Sequence, residues 1–475
     1  MPQLDRRDFC RSIALGAAAT TLGAGVHSQG GQRLNILLIT TDDMGPELGC
    51  YGDPFARTPN LDRLAADGTL FEQAYVTQAS CSPSRSSMFT GLYPHQNGQV
   101  GLSHRHYSMR PGLPTLPKLL KGAGYRTGII GKLHVAPAAD LPFDMRSPLK
   151  VQQTREVDRV ADAASAFITD SPDPFFLMVN YMDPHRPLEH QIGGVPENPL
   201  TADDVEPFPF LGIDTPKVRD ECAAYHNCNT RADVGIGMLL DGLENAGVAD
   251  NTLVIFLGDH GPPFTRGKTT CYESGVRIPF ILRGPKVVAG RRVDSLTSTV
   301  DILPTICARL GIERPRGLPG RNLLPRPFGY PYRTQPDRKT LATEYTSHHE
   351  GGFYPRRAIR DRRYKLIHNL LPDRENPVKA VDGCAAFKEA QAPQFDGTDA
   401  RRAMDTHSKP PEFELYDLKQ DPIEFHNLAH SPKHGGTLRR LQAELLAWRE
   451  ETDDPTLDPE KMAALIRWHD GKEWQ

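Results

Sequence analysis

Residues 35–43 have the sequence NILLITTDD, in which an apolar run ends in two aspartates. Residues 252–261, TLVIFLGDHG, repeat this arrangement, with Asp259 and His260 after the run. Uninterrupted apolar runs are typical of strands buried on both faces of a parallel sheet. Ligands of open α/β sheets bind beyond the carboxyl ends of the strands. We therefore expect the residues that follow these two strands to lie together in a functional site.

The polar residues after the two strands have the composition of a metal site. Asp42, Asp43 and Asp259 supply carboxylates, and His260 supplies an imidazole. Mostly oxygen donors favour Ca²⁺, with Mg²⁺ and, because of the histidine, Mn²⁺ as the alternatives. One aspartate pair after a strand is also common in turns and helix caps, but the second pair favours a metal. The sequence predicts one divalent cation here.

Strand-like and helix-like segments alternate through the first 330 residues. The predicted strands include residues 125–130 and 175–180, and the predicted helices are 58–67, 115–120 and 215–245. Two of these helices open with Thr-Pro, a capping hydroxyl followed by a residue that suits the first turn. The alternation predicts an α/β fold, a large and mostly parallel sheet sandwiched by helices, over residues 33–330.

The pattern changes after a cluster of Pro and Gly at residues 311–337, which predicts a domain boundary near residue 330. Residues 331–475 contain short runs at 357–367 and 413–418 and a helical pattern at 437–451. These features indicate a smaller C-terminal α+β subdomain with an antiparallel sheet and a helix. The Pro-rich stretch 187–216 is a long irregular insertion, and such loops are usually functional or mobile.

Charge excludes some classes of partner. The 475 residues include 56 basic and 59 acidic side chains, so no global field favours nucleic acid or an anionic membrane. Any anion must be bound locally.

The eight cysteines are too scattered for a disulfide framework. Cys222 and Cys228 are predicted to be buried thiols or one local disulfide.

Residues 1–30 resemble a twin-arginine export signal. Arg6 and Arg7 precede a short, weakly hydrophobic stretch at residues 13–26, which is shorter than a membrane span. The twin-arginine export machinery is the implied partner, and the mature protein is expected to be periplasmic or extracellular and free of the membrane. An amphipathic helix is the alternative for this segment.

Residues 80–91, SCSPSRSSMFTG, predict a short helix that begins at Cys81, with Pro83 in its first turn and Gly91 at its end. The free N–H groups and the dipole at a helix N-terminus attract an anion and stabilise negative charge on a side chain. Cys81 is thereby a candidate reactive residue. A half-buried cysteine before a short helix is the alternative.

The sequence Cys-x-Pro-Ser-Arg followed by Thr-Gly resembles the signature of the formylglycine-dependent sulfatases, which have an alkaline-phosphatase-like fold. Motifs resembling the rest of that family follow in order, from Gly131-Lys132-Leu133-His134 and Asp183-Pro184-His185 to Gly267-Lys268 and a C-terminal ELYDL at 414–418. The resemblance implies that a maturation enzyme oxidises Cys81 to 3-oxoalanine (formylglycine). The hydrate of this aldehyde is the nucleophile in the family, because its second hydroxyl allows sulfate to be released.

The resemblance also implies roles for the other motif residues. The converted Cys81 joins Asp42, Asp43, Asp259 and His260 at the metal. The cations that would hold sulfate oxygens are Arg85, Lys132 and Lys268, and the candidate base and acid are His134 and His185.

Within this family, several segments resemble the sulfamidases, which remove the N-linked sulfate of glucosamine. They include residues 126–135, DPHR at 183–186, SHHE at 347–350 and YKLIHN at 364–369. This likeness implies a substrate pocket lined by Asp183, His349 and Glu350, where the second domain meets the first, for a sulfated sugar or glycosaminoglycan fragment. Two residues depart from the sulfamidase pattern, since His260 stands where sulfamidases carry Asn and Lys268 where they carry Arg.

Three other functions stay open at this stage. The first is an O-sulfatase acting on a polysaccharide or an aryl sulfate. The second is a phosphatase or phosphodiesterase of the same superfold, against which the Cys81 signature counts. The third is an inactive sulfoglycan-binding homologue, which would result if Cys81 were never converted.

Overall fold

The computed structural model of the chain describes residues 33–171, 174–324, 337–349 and 351–471. The predicted export signal at residues 1–30, and Glu350, lie outside these described residues. The strands are β1 (Asn35–Thr41), β2 (Thr69–Phe71), β3 (Ala74–Tyr75), β4 (Arg126–Ile130), β5 (Met145–Arg146), β6 (Phe175–Tyr181), β7 (Thr252–Gly258), β8 (Arg277–Ile278), β9 (Phe280–Arg283), β10 (Arg291–Val293), β11 (Thr297–Ser298), β12 (Leu341–Tyr345), β13 (Arg356–Arg360), β14 (Tyr364–Asn369) and β15 (Phe413–Asp417). The helices are α1 (Pro59–Ala66), α2 (Cys81–Thr90), α3 (Pro94–Asn97), α4 (Leu116–Gly122), α5 (Val157–Thr169), α6 (Pro216–Asn245), α7 (Glu273–Val276), α8 (Ile302–Leu310), α9 (Ala385–Glu389), α10 (Asp399–Ser408), α11 (Gly435–Glu451) and α12 (Pro459–Asp470).

The large sheet has eight strands in the order β10-β2-β9-β7-β1-β6-β4-β5. The five strands from β7 to β5 are parallel, whereas β9 runs antiparallel to both of its neighbours. The prediction of a mostly parallel sheet is therefore confirmed. A small three-stranded sheet, β11-β3-β8, lies apart from it.

Both faces of the large sheet are buried, which explains the uninterrupted apolar runs. In β1, Ile36 and Leu38 belong to one hydrophobic cluster, together with residues of α2, α4 and α8. Leu37 and Ile39 belong to the opposite cluster, together with residues of α1, α5 and α6. Because successive side chains of a strand point to opposite faces, each strand contributes to both layers of the core. Helices thus cover the sheet on both sides, as predicted.

The C-terminal sheet is antiparallel, with the order β12-β13-β14-β15. Helix α11 packs against it through Leu441 and Leu445, which contact Ile359, Leu366 and Leu415. The predicted α+β character of this region is confirmed. The run at residues 357–367 is two strands, β13 and β14, joined by a turn in which Asp361 accepts hydrogen bonds from the backbone of Arg363 and Tyr364. The domain boundary near residue 330 stays a prediction.

Two further predictions concern the pairing of the cysteines and the presence of a membrane-spanning helix. The seven cysteines found there are all free, including Cys222 and Cys228, so this pair is two buried thiols. No helix among the described residues combines the length and the apolar character needed to cross a bilayer.

Candidate active site

Four neighbouring strands of the large sheet, β7, β1, β6 and β4, carry candidate residues directly after their carboxyl ends. Because these strands are parallel, their ends meet at one edge of the sheet. The residues brought there are Asp259 and His260 after β7, Asp42 and Asp43 after β1, Asp183 and His185 after β6, and Lys132 and His134 after β4. Helix α2 begins at the same edge and adds Cys81.

Two overlapping sets of side chains in this region could hold a metal ion. The ligand atoms of Asp42, Cys81, Asp259 and His260 all lie within 4.8 Å of one another, and so do those of Asp42, Asp43, Cys81 and His185. Every member except His185 is buried. The structure thus brings together all five residues that the sequence assigns to the metal.

The chemistry of this cluster fits a divalent cation. Oδ1 of Asp42 is buried and has no hydrogen-bond partner among the described residues. Nδ1 of His260 lies 2.9 Å from the carbonyl oxygen of Gly261, which can only accept, so Nδ1 carries the hydrogen. Nε2 of His260 is left facing Oδ1 of Asp43 at 3.0 Å and Sγ of Cys81 at 3.4 Å. Carboxylates and an imidazole nitrogen directed at one point are the donor set of a metal ion.

Arg85 lies behind the cluster and orients Asp259. Its Nε donates to Oδ2 of Asp259 at 2.9 Å, and its Nη1 donates to Oδ1 of Asn180 at 2.7 Å. The guanidinium is completely buried and is absent from the lining of the neighbouring cavity. This position differs from the expected contact with sulfate. Arg85 instead compensates negative charge and holds a carboxylate in place.

Two lysines do face the cavity, and each is paired with an aspartate of the cluster. Nζ of Lys132 donates to Asp42, and Nζ of Lys268 lies 3.0 Å from Oδ2 of Asp43. Burial would lower the pKa of both lysines, but the neighbouring carboxylates outweigh it and raise both. Burial likewise would raise the pKa of Asp42, but Lys132 and other cations hold it well below its ordinary value. Asp42, Lys132 and Lys268 are therefore charged at neutral pH.

Cys81 begins α2, as predicted, but its thiol is not activated in the expected way. Ser80 is extended and Gly91 closes the helix in the left-handed region, with φ of 68°. Burial raises the pKa of Cys81, and Lys132 and Lys268 counter it only in part. The expected stabilisation of a negative charge by the helix N-terminus is therefore outweighed by the loss of solvation. The residue is a protonated thiol inside the cluster.

The two candidate acid–base histidines both line the cavity. Burial and the nearby charge of Lys132 lower the pKa of His134 to about 2, so its ring is neutral and only weakly basic in this state. Nε2 of His134 lies 2.7 Å from Nδ1 of His104. Nδ1 of His185 lies 2.6 Å from the carbonyl oxygen of Arg186, and this contact leaves Nε2 as the nitrogen for exchange with a ligand.

The cavity has a volume of about 760 Å³ and is lined by residues from both sides of residue 330, including Cys81, His185 and His349. Asp183 is not part of this lining. Its carboxylate lies 2.6 Å from Nε of Arg231 and 2.7 Å from Nη1 of Arg155, beneath the chain that carries His185. The expected contact of Asp183 with a sugar does not fit this arrangement, because both of its oxygens are engaged by arginines. The role of Glu350 stays a prediction.

Three residues of the site were not assigned from the sequence. Asn180 is the next-to-last residue of β6 and accepts a hydrogen bond from Arg85, and its place near the end of a buried strand is a signal that could have found it. His348 lines the cavity and its Nδ1 lies 2.8 Å from Oγ of Ser80. Asp382, in the short 3-10 turn Val381–Gly383, lies 2.8 Å from Nζ of Lys268. No local pattern marks Asp382, because only tertiary folding brings it to the cavity.

Comparison with known proteins gives the following matches. Residues 34–312 match the family model described as Sulfatase. N-sulphoglucosamine sulphohydrolase of Homo sapiens is 33% identical over 460 residues, which cover 89% of this chain and 91% of the human protein. A solved 2-O GAG sulfatase has a TM-score of 0.69 at 22% identity, over 90% of this chain and 96% of that one. A protein solved in complex with its substrate, D-glucosamine-2-N,6-O-disulfate, has a TM-score of 0.64 at 22% identity, over 89% and 99%.

Proposed function

Because this chain belongs to the sulfatase family, we propose that it removes sulfate from a sulfated glycan, and that its substrate is the N-linked sulfate of glucosamine. The observation that carries the proposal is the position of Cys81, which lies buried among metal-type ligands at the floor of a cavity that also exposes two lysines and several histidines. The substrate class is supported by the 33% identity to the human N-sulphoglucosamine sulphohydrolase over most of both chains.

The site residues have three roles in this proposal, which are metal binding, sulfate binding and proton transfer. Asp42, Asp43, Asp259 and His260 would hold one divalent cation, which supplies Lewis-acid stabilisation of the sulfate charge when it is bound. Lys132 and Lys268 bind the remaining sulfate oxygens. Since both lysines are already held in place by aspartates, their charges need little reorganisation when substrate enters.

The two histidines move the protons. If Cys81 is converted to formylglycine, the hydrate of its aldehyde would supply the attacking hydroxyl, and loss of the proton of its second hydroxyl would then expel sulfate and restore the aldehyde. His134, which lines the same cavity as Cys81, is the residue we assign to accept the proton of the attacking hydroxyl. His185 donates a proton to the leaving nitrogen as the S–N bond breaks, and the bonding electron pair stays on nitrogen. The amine product then leaves the cavity.

Maturation and export belong to the same proposal. The signature around Cys81 is the segment that a formylglycine-generating enzyme would act on, and residues 1–30 would direct the protein through the twin-arginine machinery to the periplasm or beyond.

Calcium is the cation that the oxygen-rich donor set favours. The imidazole of His260 makes Mn²⁺ the alternative to compare in metal-replacement assays.

The test is sulfate release from N-sulfoglucosamine, glucosamine 6-sulfate and an aryl sulfate, with Cys81→Ala as the matched control. We expect N-sulfoglucosamine to have the highest kcat/KM. Turnover of either ester without turnover of N-sulfoglucosamine would establish the O-sulfatase alternative. No release from any of the three by protein of the native host whose Cys81 is an unmodified thiol would favour the inactive, sugar-binding alternative.

A further inference from the structure

Asp382 is the one acidic residue among the described residues that line the cavity above Cys81. The charged groups around it are cations, since Arg105, Lys132 and Lys268 line the same cavity. The side chain of Asp382 is about a quarter exposed, at 26%, so it can reach a bound molecule. A carboxylate in a cavity built for a sulfate calls for a specific function, because its negative charge repels the substrate anion.

Two ion pairs connect Asp382 to the reaction centre. Its Oδ2 lies 2.8 Å from Nζ of Lys268, and the same Nζ lies 3.0 Å from Oδ2 of Asp43. Asp382 is therefore one side chain away from the metal-type cluster, on the solvent side of Lys268. A ligand group bound next to the sulfate would come within reach of its carboxylate.

Asp382 is also held close to the candidate acid. It shares with His185 the wall of a second cavity, which adjoins the first. Its backbone has φ of 51°, a left-handed conformation that a residue other than glycine adopts at a cost. Burial would raise the pKa of Asp382, but Lys268 and His348 lower it, so the carboxylate is ionised.

The chemistry that distinguishes a sulfamate from a sulfate ester matches such a carboxylate. The bridging nitrogen of a sulfamate carries a hydrogen that can be donated, whereas the bridging oxygen of an ester carries none. After the S–N bond breaks, the amine takes a further proton from solvent and becomes a cation. A carboxylate accepts from the first and pairs with the second, but it opposes an ester oxygen.

We propose that Asp382 is a specificity-determining residue that accepts a hydrogen bond from the substrate nitrogen and so favours N-sulfated over O-sulfated glucosamine. This inference rests on the proposed function and names the residue that selects the substrate class. Asp382 does not itself transfer the proton, which comes from His185. Its contribution is to discriminate between two leaving groups that the sulfate-binding lysines cannot distinguish.

The experiment measures the ratio of kcat/KM for N-sulfoglucosamine to kcat/KM for glucosamine 6-sulfate in the wild type and in Asp382→Asn. A ratio cancels any effect on Lys268, which acts on both substrates alike. We expect it to fall about tenfold or more, the usual effect of losing a charge-assisted hydrogen bond. Asp220→Asn is the matched control, because Asp220 lines the adjoining cavity and is not among the described residues that line the cavity above Cys81, and its ratio should not change.

An equal loss on both substrates in Asp382→Asn would overturn the proposal and leave Asp382 as a positioning residue for Lys268. A second readout is inhibition by glucosamine and by N-acetylglucosamine, of which only the first carries an ammonium group. Glucosamine should inhibit the wild type more strongly, and Asp382→Asn should lose this preference. If the wild type does not turn over N-sulfoglucosamine, the proposed substrate fails, and the inhibition measurement still decides whether Asp382 binds an amine.

Discussion

Cys81 has the position of a nucleophile, but the thiol that the sequence encodes is poorly suited to that role. It lies within 4.8 Å of carboxylate and imidazole ligand atoms, yet burial raises the pKa of its thiol, so a thiolate nucleophile is disfavoured. Oxidation to an aldehyde would remove this difficulty, because a hydrated aldehyde attacks through oxygen. The buried thiol thus supports conversion of Cys81 over direct thiolate catalysis.

We therefore expect protein from its native host to carry an aldehyde at Cys81 and nowhere else. Peptide mass spectrometry checks this, with Cys50, a half-buried cysteine outside the cavity, as the internal control. Cys81→Ala should keep the wild-type melting temperature within a few degrees and lose turnover. Active wild-type protein whose Cys81 is entirely an unmodified thiol would contradict the expectation.

Asn180 connects three strands and a helix through one amide. Its Oδ1 accepts from Oγ1 of Thr40 at 2.6 Å and from Nη1 of Arg85 at 2.7 Å, and its Nδ2 donates to the carbonyl of Ile130 at 2.9 Å. All of these groups are shielded from water. Removing the amide would leave buried partners unsatisfied, which costs more than the net gain of an average hydrogen bond.

Asn180→Ala is expected to lower the free energy of unfolding by about 3 kcal/mol and to reduce activity, because Arg85 would no longer be fixed against Asp259. Urea denaturation and sulfate release measure the two effects. Asn198→Ala, at an exposed asparagine, is the control and should change neither. A stable Asn180→Ala variant with full activity would show that Arg85 is positioned by its other contacts.

At the scale of elements, α1 is capped by a distant residue and not by its own sequence. Thr58 was predicted as the N-cap, but it makes no side-chain capping bond to the helix and instead accepts from the backbone N–H of Gly49 at 3.0 Å. Asp233, on α6, accepts from the backbone N–H of Asn60 at 3.2 Å and of Leu61 at 2.7 Å. A carboxylate at this end also interacts favourably with the helix dipole.

Burial of this cap makes stability depend on pH. It raises the pKa of Asp233 to about 6, although three hydrogen bonds oppose the shift. Between its ordinary pKa and pH 6 the folded state binds a proton that the unfolded state has lost, so stability falls as pH rises through this window. The loss amounts to about 3 kcal/mol at most. About one pH unit above the folded pKa the loss of stability is complete, and it stays constant at higher pH.

Asp233→Asn should lack this loss, since an amide does not ionise. Relative to the wild type, the variant should therefore gain stability between pH 4 and pH 7, as measured by urea denaturation across that range. Asp241→Asn, at an exposed position of the same helix, should follow the wild type. A difference between wild type and Asp233→Asn that does not change with pH would refute the argument.

At the scale of the whole molecule, three buried carboxylates are gathered from the ends of two strands. Asp42, Asp43 and Asp259 are each inaccessible to solvent, and their ion pairs with Arg85, Lys132 and Lys268 compensate their charge. A divalent cation would be coordinated by the same three carboxylates. Binding to the folded state alone would then stabilise the protein by about 2.7 kcal/mol at a free concentration a hundredfold above Kd.

Chelation is accordingly expected to lower the melting temperature by a few degrees and to abolish activity, and Ca²⁺ should restore both. Differential scanning calorimetry with and without EDTA measures the first effect. In Asp42→Asn the shift caused by EDTA should be smaller than in the wild type. Elemental analysis that finds two zinc ions per chain would contradict the single-cation site and favour the phosphatase alternative.

The architecture of the molecule was largely predictable, because patterns of neighbouring residues in the sequence indicate its strands and helices. Strands β1, β6 and β7 are buried on both faces, so their apolar runs mark them in the sequence, and the residues that follow them must meet at one edge of a parallel sheet. The same reasoning located Asp42, Asp43, Asp259 and His260. The motif at Cys81 carried the family resemblance, which the match over residues 34–312 bears out.

The sequence by itself thus determined the fold class, the edge of the sheet where the site lies and the types of group present there. Only the tertiary structure decided which of those groups face the cavity. Arg85 and Asp183 turn inward to satisfy buried charges, and Asp382 arrives from a segment without any periodic pattern. The reason is physical. The burial of a strand follows from the pattern of neighbouring residues, whereas the partner of a buried charge is a residue far away in the chain that only folding brings close.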